Sequence, residues 1–248
     1  MAAGADTTGA RCPLTMALRA LVTGVGRRAG IAASIAERLR RDGWPVVTTG
    51  WREYDARMTW GAENDLLADH DVDFSDSAAP DDLFRVLAAG GPVTAMVLAH
   101  AESVDSDILT TTVESFDRHL AVNARASWLL IRAFARQFPA GAAARIVALT
   151  SDHTAFNVPY GASKGALDRI VIAAAAELAP LGITANVVNP GATDTGWIDD
   201  DVRAAVLRRN LQPRVGTPAD AANLVSFLLS TDGGWINAQV LHSDGGRW

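Results

Sequence analysis

Residues 18–32 read Leu18-Arg19-Ala20-Leu21-Val22-Thr23-Gly24-Val25-Gly26-Arg27-Arg28-Ala29-Gly30-Ile31-Ala32, and the fold turns on this stretch. Its first six residues form a short, mostly apolar run that stops at a glycine, the pattern of a buried strand. Glycines follow at once, and a helical pattern then continues through Leu39. Strand, glycine loop and helix in that order form the usual cradle for a pyrophosphate. The glycines let the backbone approach, and the helix N-terminus offers free N–H groups and a positive dipole end. A glycine-rich loop can also be a plain structural turn. Its place directly after the first strand favours a dinucleotide site.

Working outward, the same alternation repeats along the chain. Pro45–Thr49 reads as a second strand, 51–67 as irregular and aromatic-rich, and Asp71–Phe74 as a short third strand. A helix is expected over Pro80–Ala89, with acids in its first turn where the dipole favours them. Val93–Leu98 reads as strand four, followed by a long helix from about Val113 to Gln137 that Pro139 stops. Arg145–Thr150 and Ile183–Val188 are strands five and six, with a helix over Tyr160–Leu178 between them. Helices over Asp199–Asn210 and Pro218–Leu229 and a strand over Gln239–His242 complete the pattern. Strands alternating with helices predict an α/β fold, a doubly wound parallel sheet of about seven strands covered on both faces. Ligands of such sheets sit beyond the carboxyl ends of the strands.

The chain has 248 residues, of which 49% are hydrophobic and 20% charged, enough to build one large core. No linker divides it, so 17–248 is expected to be one dinucleotide-binding domain that includes the catalytic site. Residues 1–16 are expected to be a loose tail, without the apolar run of a secretory signal. A net charge of -6 and a pI near 5.3 argue against a nucleic-acid surface. No apolar run is long enough to cross a bilayer. With Cys12 as the single cysteine, no internal disulfide is possible, and a reducing cytoplasm is the default compartment. The five histidines lack metal-ligand spacing, so no metal is expected.

Chemistry is concentrated in Tyr160-Gly161-Ala162-Ser163-Lys164. On a helix, positions i and i+4 share a face, so the phenol and the ammonium can reach one pocket. A free tyrosine has a pKa of about 10, and a nearby cation favours its ionised form. Taken alone, the spacing also fits a helical tyrosine beside a solvated lysine.

Placed after successive strands, these features resemble the short-chain dehydrogenase/reductase family from about Ala17 to the C-terminus. The carriers are Thr23-Gly24 with Gly30-Ile31-Ala32, Asp73, Asn123, Ser151, Tyr160 with Lys164, and Asn189-Pro190-Gly191. Within the family the sequence is similar to bacterial 3-oxoacyl-[acyl-carrier-protein] reductases. The resemblance implies that Tyr160 is the general acid/base and that Lys164 lowers its pKa while binding the nicotinamide ribose. It implies that Ser151, rather than Thr150, bonds the substrate oxygen. Asn123 would sit at a disturbance in the long helix and anchor a water that links Lys164 to solvent. The cofactor would lie along Gly24, Gly26, Gly30 and Ile31, with Asp73 at the adenine and Ala99, Tyr160, Lys164, Pro190 and Gly191 along its length. Thr193 and Thr195 would reach its carboxamide or pyrophosphate.

Several departures bear on the pocket. Five residues separate Gly24 from Gly30, where the family has three, and Ala32 stands where a third glycine is common. After strand four the family reads Asn-Asn-Ala-Gly, whereas this chain has Ala99-His100-Ala101-Glu102, read here as a structural substitution. Only eight residues, Asp152 to Pro159, separate Ser151 from Tyr160, which implies a more open substrate pocket with Asp152 and His153 at its mouth. Trp197 is placed to shape a lid. The end of strand two, Thr49-Gly50-Trp51-Arg52, has no acid before Glu53 to hold a ribose diol. Arg27, Arg28 and Arg52 are candidates to meet a 2′-phosphate, so NADP(H) is expected over NAD(H).

The expected function is therefore hydride transfer between this cofactor and a ketone or secondary alcohol, a 3-oxoacyl thioester among the options. The alternatives are a specialised secondary-metabolism ketoreductase, a sugar or polyol dehydrogenase, and a catalytically silent binding protein on the same fold. The apolar faces of the two long helices predict a homodimer or homotetramer.

Overall fold

The computed structural model describes residues 19–63, 67–138, 142–196 and 198–246. The expected tail over 1–16, Pro139 and the lid residue Trp197 lie outside the described residues.

Seven strands form one parallel sheet in the order β3-β2-β1-β4-β5-β6-β7. They are β1 (Ala20–Thr23), β2 (Val46–Gly50), β3 (His70–Asp71), β4 (Ala95–Leu98), β5 (Ala144–Leu149), β6 (Ile183–Asn189) and β7 (Val240–His242). The strand order reverses between β1 and β4, both in register at Ala20↔Ala95 and Val22↔Val97. In a sheet of this kind the ligand crevice opens at that switch point.

The period-two alternation of the strands feeds two separate cores. Leu21, Met96, Leu98, Ile146 and Ala148 point to one face, where they meet Leu130, Phe134, Leu167 and Val171. Ala20, Val22, Val97, Val147 and Leu149 point to the other, against Ile35, Leu39, Val225 and Leu228. The covering helices on the first face are α3 (Ala79–Leu87), α5 (Ala126–Gln137) and α6 (Val158–Glu177). On the second face lie α1 (Ile31–Arg41) and α8 (Pro218–Leu229). Each fully buried Leu, Ile or Phe contributes about 1.5–3 kcal/mol, so both faces are anchored independently of the site above them.

Several local features matter for function. The segment expected to be irregular contains a helix, α2 (Arg52–Arg57). The third strand comes earlier than expected, at His70–Asp71, while Phe74 leaves the sheet and packs its ring 4.6 Å from that of His100. The long helix is interrupted at Asn123, where the resemblance placed a disturbance: α4 (Val113–His119) passes into α5 through a π-turn over Leu120–Arg125. The helix carrying Tyr160 begins two residues earlier than expected, because Pro159 occupies its first turn, where its missing N–H costs nothing. Finally, α7 (Asp200–Leu207) follows β6 and is capped by Asp199, whose side chain accepts from the Val202 N–H.

Candidate active site

The glycine loop is fixed by close approach. Gly24 has φ +82°, and a Cβ there would stand 2.7 Å from the Ala99 carbonyl and from the His100 Cα. Only glycine allows β1 to turn this tightly against the end of β4. Gly30 is the N-cap of α1, extended, with no side chain over the helix end and no acid in the first turn. The N-terminal N–H groups of an eleven-residue helix are thus left for an anion. This cradle fits the pyrophosphate of a dinucleotide, with Gly24, Gly26, Gly30 and Ile31 around it.

The arginines of this loop, expected at a 2′-phosphate, have protein partners in this structure. Arg28 is bound by Glu63: its N–H donates to Oε1 at 2.7 Å and its Nε to Oε2 at 3.1 Å. Arg27 reaches across the cleft to Thr195, donating to its carbonyl at 3.2 Å and to its Oγ1 at 3.3 Å, with its guanidinium 4.3 Å from the Trp60 ring centre. Arg52 remains at the end of β2, exposed, its N–H bonded to Asp71 Oδ1 at 2.9 Å. Asp73, expected at the adenine, uses Oδ1 to accept the Ser75 N–H at 2.8 Å and so closes a turn after β3.

The unusual segment after β4 is a buried joint. His100 is 7% exposed and bridges β1 to the π-turn, with Nδ1 2.7 Å from Thr23 Oγ1 and Nε2 3.1 Å from the Val122 carbonyl. The carbonyl can only accept, so Nε2 carries the proton and Nδ1 accepts from Thr23. Burial, helped by the Lys164 charge, pushes the imidazole down to about 3, and the ring is neutral. Glu102 is buried as well, its Oε2 2.6 Å from Arg57 of α2 and 3.3 Å from Arg118 of α4. Both main-chain groups of Glu102 are held by Asn123, whose Oδ1 accepts the N–H at 2.7 Å and whose Nδ2 donates to the carbonyl at 2.9 Å.

Asn123 lies in the π-turn and is fully buried. Its Nδ2 also donates to Ser163 Oγ at 2.8 Å, and Ser163 donates to the Tyr160 carbonyl at 2.7 Å. A chain of hydrogen bonds therefore runs from the segment after β4 to the first turn of α6. This explains the serine between Tyr160 and Lys164.

Tyr160, Ser151 and Lys164 converge above β5. Burial pushes the Tyr160 phenol up to about 12, opposed by a hydrogen bond with the Ser151 side chain. Burial sets the direction, Ser151 supplies the opposing influence, and the phenol is protonated at neutral pH. Lys164 is 3% exposed, with Nζ donating to the Leu149 carbonyl at 2.8 Å and lying 5.6 Å from the Tyr160 ring centre. Burial lowers its ammonium to about 8, while Asp168, one turn on, acts in the opposite direction. Of the two hydroxyls at the end of β5, Ser151 faces Tyr160, while Thr150 is buried and bonds toward Asp168.

After β6, Asn189 Oδ1 accepts the Gly191 N–H at 3.0 Å, and Gly191 (φ +62°) leaves no room for a side chain beside Asp244. Thr193 and Thr195 are buried, Thr193 donating to the Pro190 carbonyl at 3.2 Å. The short loop between Ser151 and α6 is exposed over Asp152–Phe156. Asn157 ties it down, donating to Ser103 Oγ at 3.1 Å and Asp105 Oδ1 at 2.7 Å. His153 packs edge-on to Tyr160, ring centres 6.3 Å apart.

Residues 24–247 match a family described as enoyl-(acyl carrier protein) reductase. An uncharacterized oxidoreductase, YjdA, of Bacillus subtilis (strain 168) is 32% identical over 242 residues, covering 92% of this chain and 95% of that one. The chain belongs to the short-chain dehydrogenase/reductase family. The 3-oxoacyl-[acyl-carrier-protein] reductase MabA of Mycobacterium bovis is 31% identical over 248 residues, with 97% and 96% covered. A short chain dehydrogenase from Burkholderia cenocepacia J2315, solved in complex with NADP, superposes with a TM-score of 0.79 at 30% identity, over 94% of this chain and 98% of the other. As a family member the chain is an oxidoreductase that acts on CH–OH groups with a nicotinamide cofactor.

Sequence reasoning missed three acids in and around this site. Asp168 stands four residues after Lys164, a spacing that places it on the same helix face. Glu63 and Asp55 gave no comparable signal, because their partners lie in other elements. No group of three or more His, Cys, Asp or Glu among the described residues is placed to hold a metal ion. No described helix is long and apolar enough to cross a membrane.

Proposed function

We propose that this chain is an NADP(H)-dependent reductase of ketones that runs as an alcohol dehydrogenase under the opposite substrate balance, with 3-oxoacyl thioesters among its candidate substrates. The observation that carries the reading is the convergence above β5 of Tyr160, Ser151 and buried Lys164, whose Nζ lies 5.6 Å from the Tyr160 ring centre. NADP(H) over NAD(H) is supported by Arg52 at the end of β2 and by the NADP bound to the Burkholderia relative. We take residues 17–248 as one dinucleotide-binding unit acting in a reducing cytoplasm.

When bound, the cofactor supplies or accepts the hydride. The chain's own residues handle the oxygen. Ser151 donates to the substrate carbonyl and fixes it beside Tyr160. As charge builds on that oxygen, Tyr160 transfers its phenolic proton to it. Lys164, held by the Leu149 carbonyl, places a positive charge behind the phenol and stabilises the phenolate that remains. Asn123 keeps α6 in register through Ser163 and, through a water, gives Lys164 a route to solvent. In the oxidation direction the same groups work in reverse.

A carbonyl panel run with NADPH and NADH tests this reading. It expects turnover of at least one ketone class and a higher kcat/KM with NADPH; equal or better turnover with NADH overturns the cofactor choice. A second reading, a sugar or polyol dehydrogenase or a specialised ketoreductase, is favoured by the short exposed loop over Asp152–Phe156, and the same panel separates it. A homodimer or homotetramer is supported by Trp128, half exposed on α5 beside Arg132; a monomeric mass by light scattering at micromolar concentration overturns that assignment.

A further inference from the structure

In nucleotide-binding sheets, an acid at the end of the second strand commonly holds the adenosine ribose. That position here is Trp51-Arg52, with no acid. The structure brings one in from another element. Asp55 of α2 is 7% exposed and lies over Gly26 so closely that a Cβ there would collide with its carboxylate oxygens. Oδ1 accepts the Trp60 indole N–H at 3.2 Å, and Oδ2 faces the glycine loop. Val25, Gly26, Gly50, Trp51, Arg52 and Asp55 line one small pocket. The carboxylate therefore sits between the glycine loop and the end of β2, the two elements that flank an adenosine ribose in this topology.

Both ends of α2 are fixed, so this placement is not left to a loose loop. Its first N–H is held by Asp71, and its last residue, Arg57, is held by buried Glu102 at 2.6 Å. The positive charges nearest the pocket are partly committed: Arg27 to Thr195 and Trp60, Arg28 to Glu63. Arg52 stands at the pocket wall.

We propose that Asp55 is the residue that discriminates at the ribose 2′ position, accepting a hydrogen bond from a 2′-hydroxyl and repelling a 2′-phosphate. The proposal rests on the nicotinamide-cofactor reading and deepens it. Arg52 attracts the phosphorylated cofactor, Asp55 opposes it, and the preference between the two cofactors is the difference. A like charge within a few ångströms in a partly desolvated pocket is worth on the order of tenfold in affinity or more.

The test uses the full chain, its Asp55→Asn variant and, in case the amide disturbs α2, Asp55→Ser, each checked by a melting curve. Two fragments without a nicotinamide, adenosine 2′,5′-bisphosphate and 5′-AMP, are titrated calorimetrically against each. The bisphosphate is expected to bind on the order of tenfold more tightly to the variants, and 5′-AMP to stay within about threefold or weaken. The ratio of kcat/KM with NADPH to that with NADH should move in the same direction. Parallel changes in both fragments, or an unmoved ratio in both variants, overturn the role of Asp55 and leave the reductase reading intact. If the unmodified chain binds neither fragment, the nucleotide reading falls and the proposal with it.

Discussion

The two ends of the proposed cofactor cleft are held by different kinds of structure. At the nicotinamide end, Asn123, Lys164 and Ser163 are buried, and each is fixed by hydrogen bonds that lead back to strands or long helices. At the adenosine end, Arg28 and Glu63 pair in the open, and the wall is a six-residue helix held by its side chains. The first end has one geometry and little freedom to vary it. The second places its charges on a short helix and its flanking loops, Arg28 and Arg52 exposed and Asp55 buried against the glycine loop, where one substitution changes charge outside the two apolar cores. Perturbations should therefore cost far more at the first end.

The largest effect is expected from Tyr160→Phe. It removes the proton donor and leaves the ring that packs beside Lys164 and His153. Turnover in stopped or steady-state assays should fall by about 10²–10⁴-fold, with cofactor affinity nearly unchanged. Retention of more than a tenth of the activity would move the proton transfer elsewhere and remove the asymmetry between the two ends.

Next in size is Glu102→Gln, at the joint between the ends. Glu102 is buried between Arg57 and Arg118, and removing one member of a buried ion cluster destabilises by about 3–5 kcal/mol. Both arginines are about a third exposed (36% and 35%) and can turn to water, so a loss of about 2–3 kcal/mol is expected in a urea melt. A loss below about 0.5 kcal/mol would mean that α2 is not held to the catalytic side through this residue.

His100 gives a smaller, pH-dependent effect. Its folded pKa, about 3, lies below the ordinary 6.5 because of burial. As pH falls through 6.5, the unfolded chain takes up a proton that the folded chain refuses. Stability therefore declines from pH 6.5 toward 3 and is fully present above that window. One such group contributes at most about 1.4 kcal/mol per pH unit. Comparing urea midpoints at pH 7 and 5 for the wild type and His100→Gln should show a shallower decline in the variant; identical slopes would remove the imidazole from the account.

The same contrast decides what the sequence could disclose. The strands were legible because buried parallel strands are apolar runs, and Tyr160 with Lys164 was legible because their spacing is set by one helix. The π-turn around Asn123 has no marker in the helical periodicity, and only the family resemblance pointed to a disturbance there. Helix α2 is six residues long with no side-chain cap, too short for periodicity to reveal, and its position comes from the Arg52 N–H meeting Asp71 and Arg57 meeting Glu102. In the glycine loop Arg28 pairs with Glu63, thirty-five residues away, a partner that counting arginines could not name. Local chemistry is written locally, whereas the choice of partner for a surface charge is a tertiary fact.

That pair supplies the smallest prediction. In Arg28→Ala the ion pair with Glu63 is lost, but the Arg28 N–H still donates to Glu63 Oε1. The Arg28 side chain is 69% exposed, and pairs of this kind contribute about 0.2–1 kcal/mol, less at high salt. Stability should change by no more than about 0.5 kcal/mol, and the change should vanish in 0.5 M salt. Cofactor affinity separates two roles for this arginine. If Arg28 only holds Glu63 in place, NADPH and NADH binding shift together by less than about threefold. A selective loss of NADPH binding, by tenfold or more, would show Arg28 leaving Glu63 for the 2′-phosphate. The adenosine end would then rearrange on binding, and its exposed pairs would be a resting arrangement of a site that the nicotinamide end never needs to change.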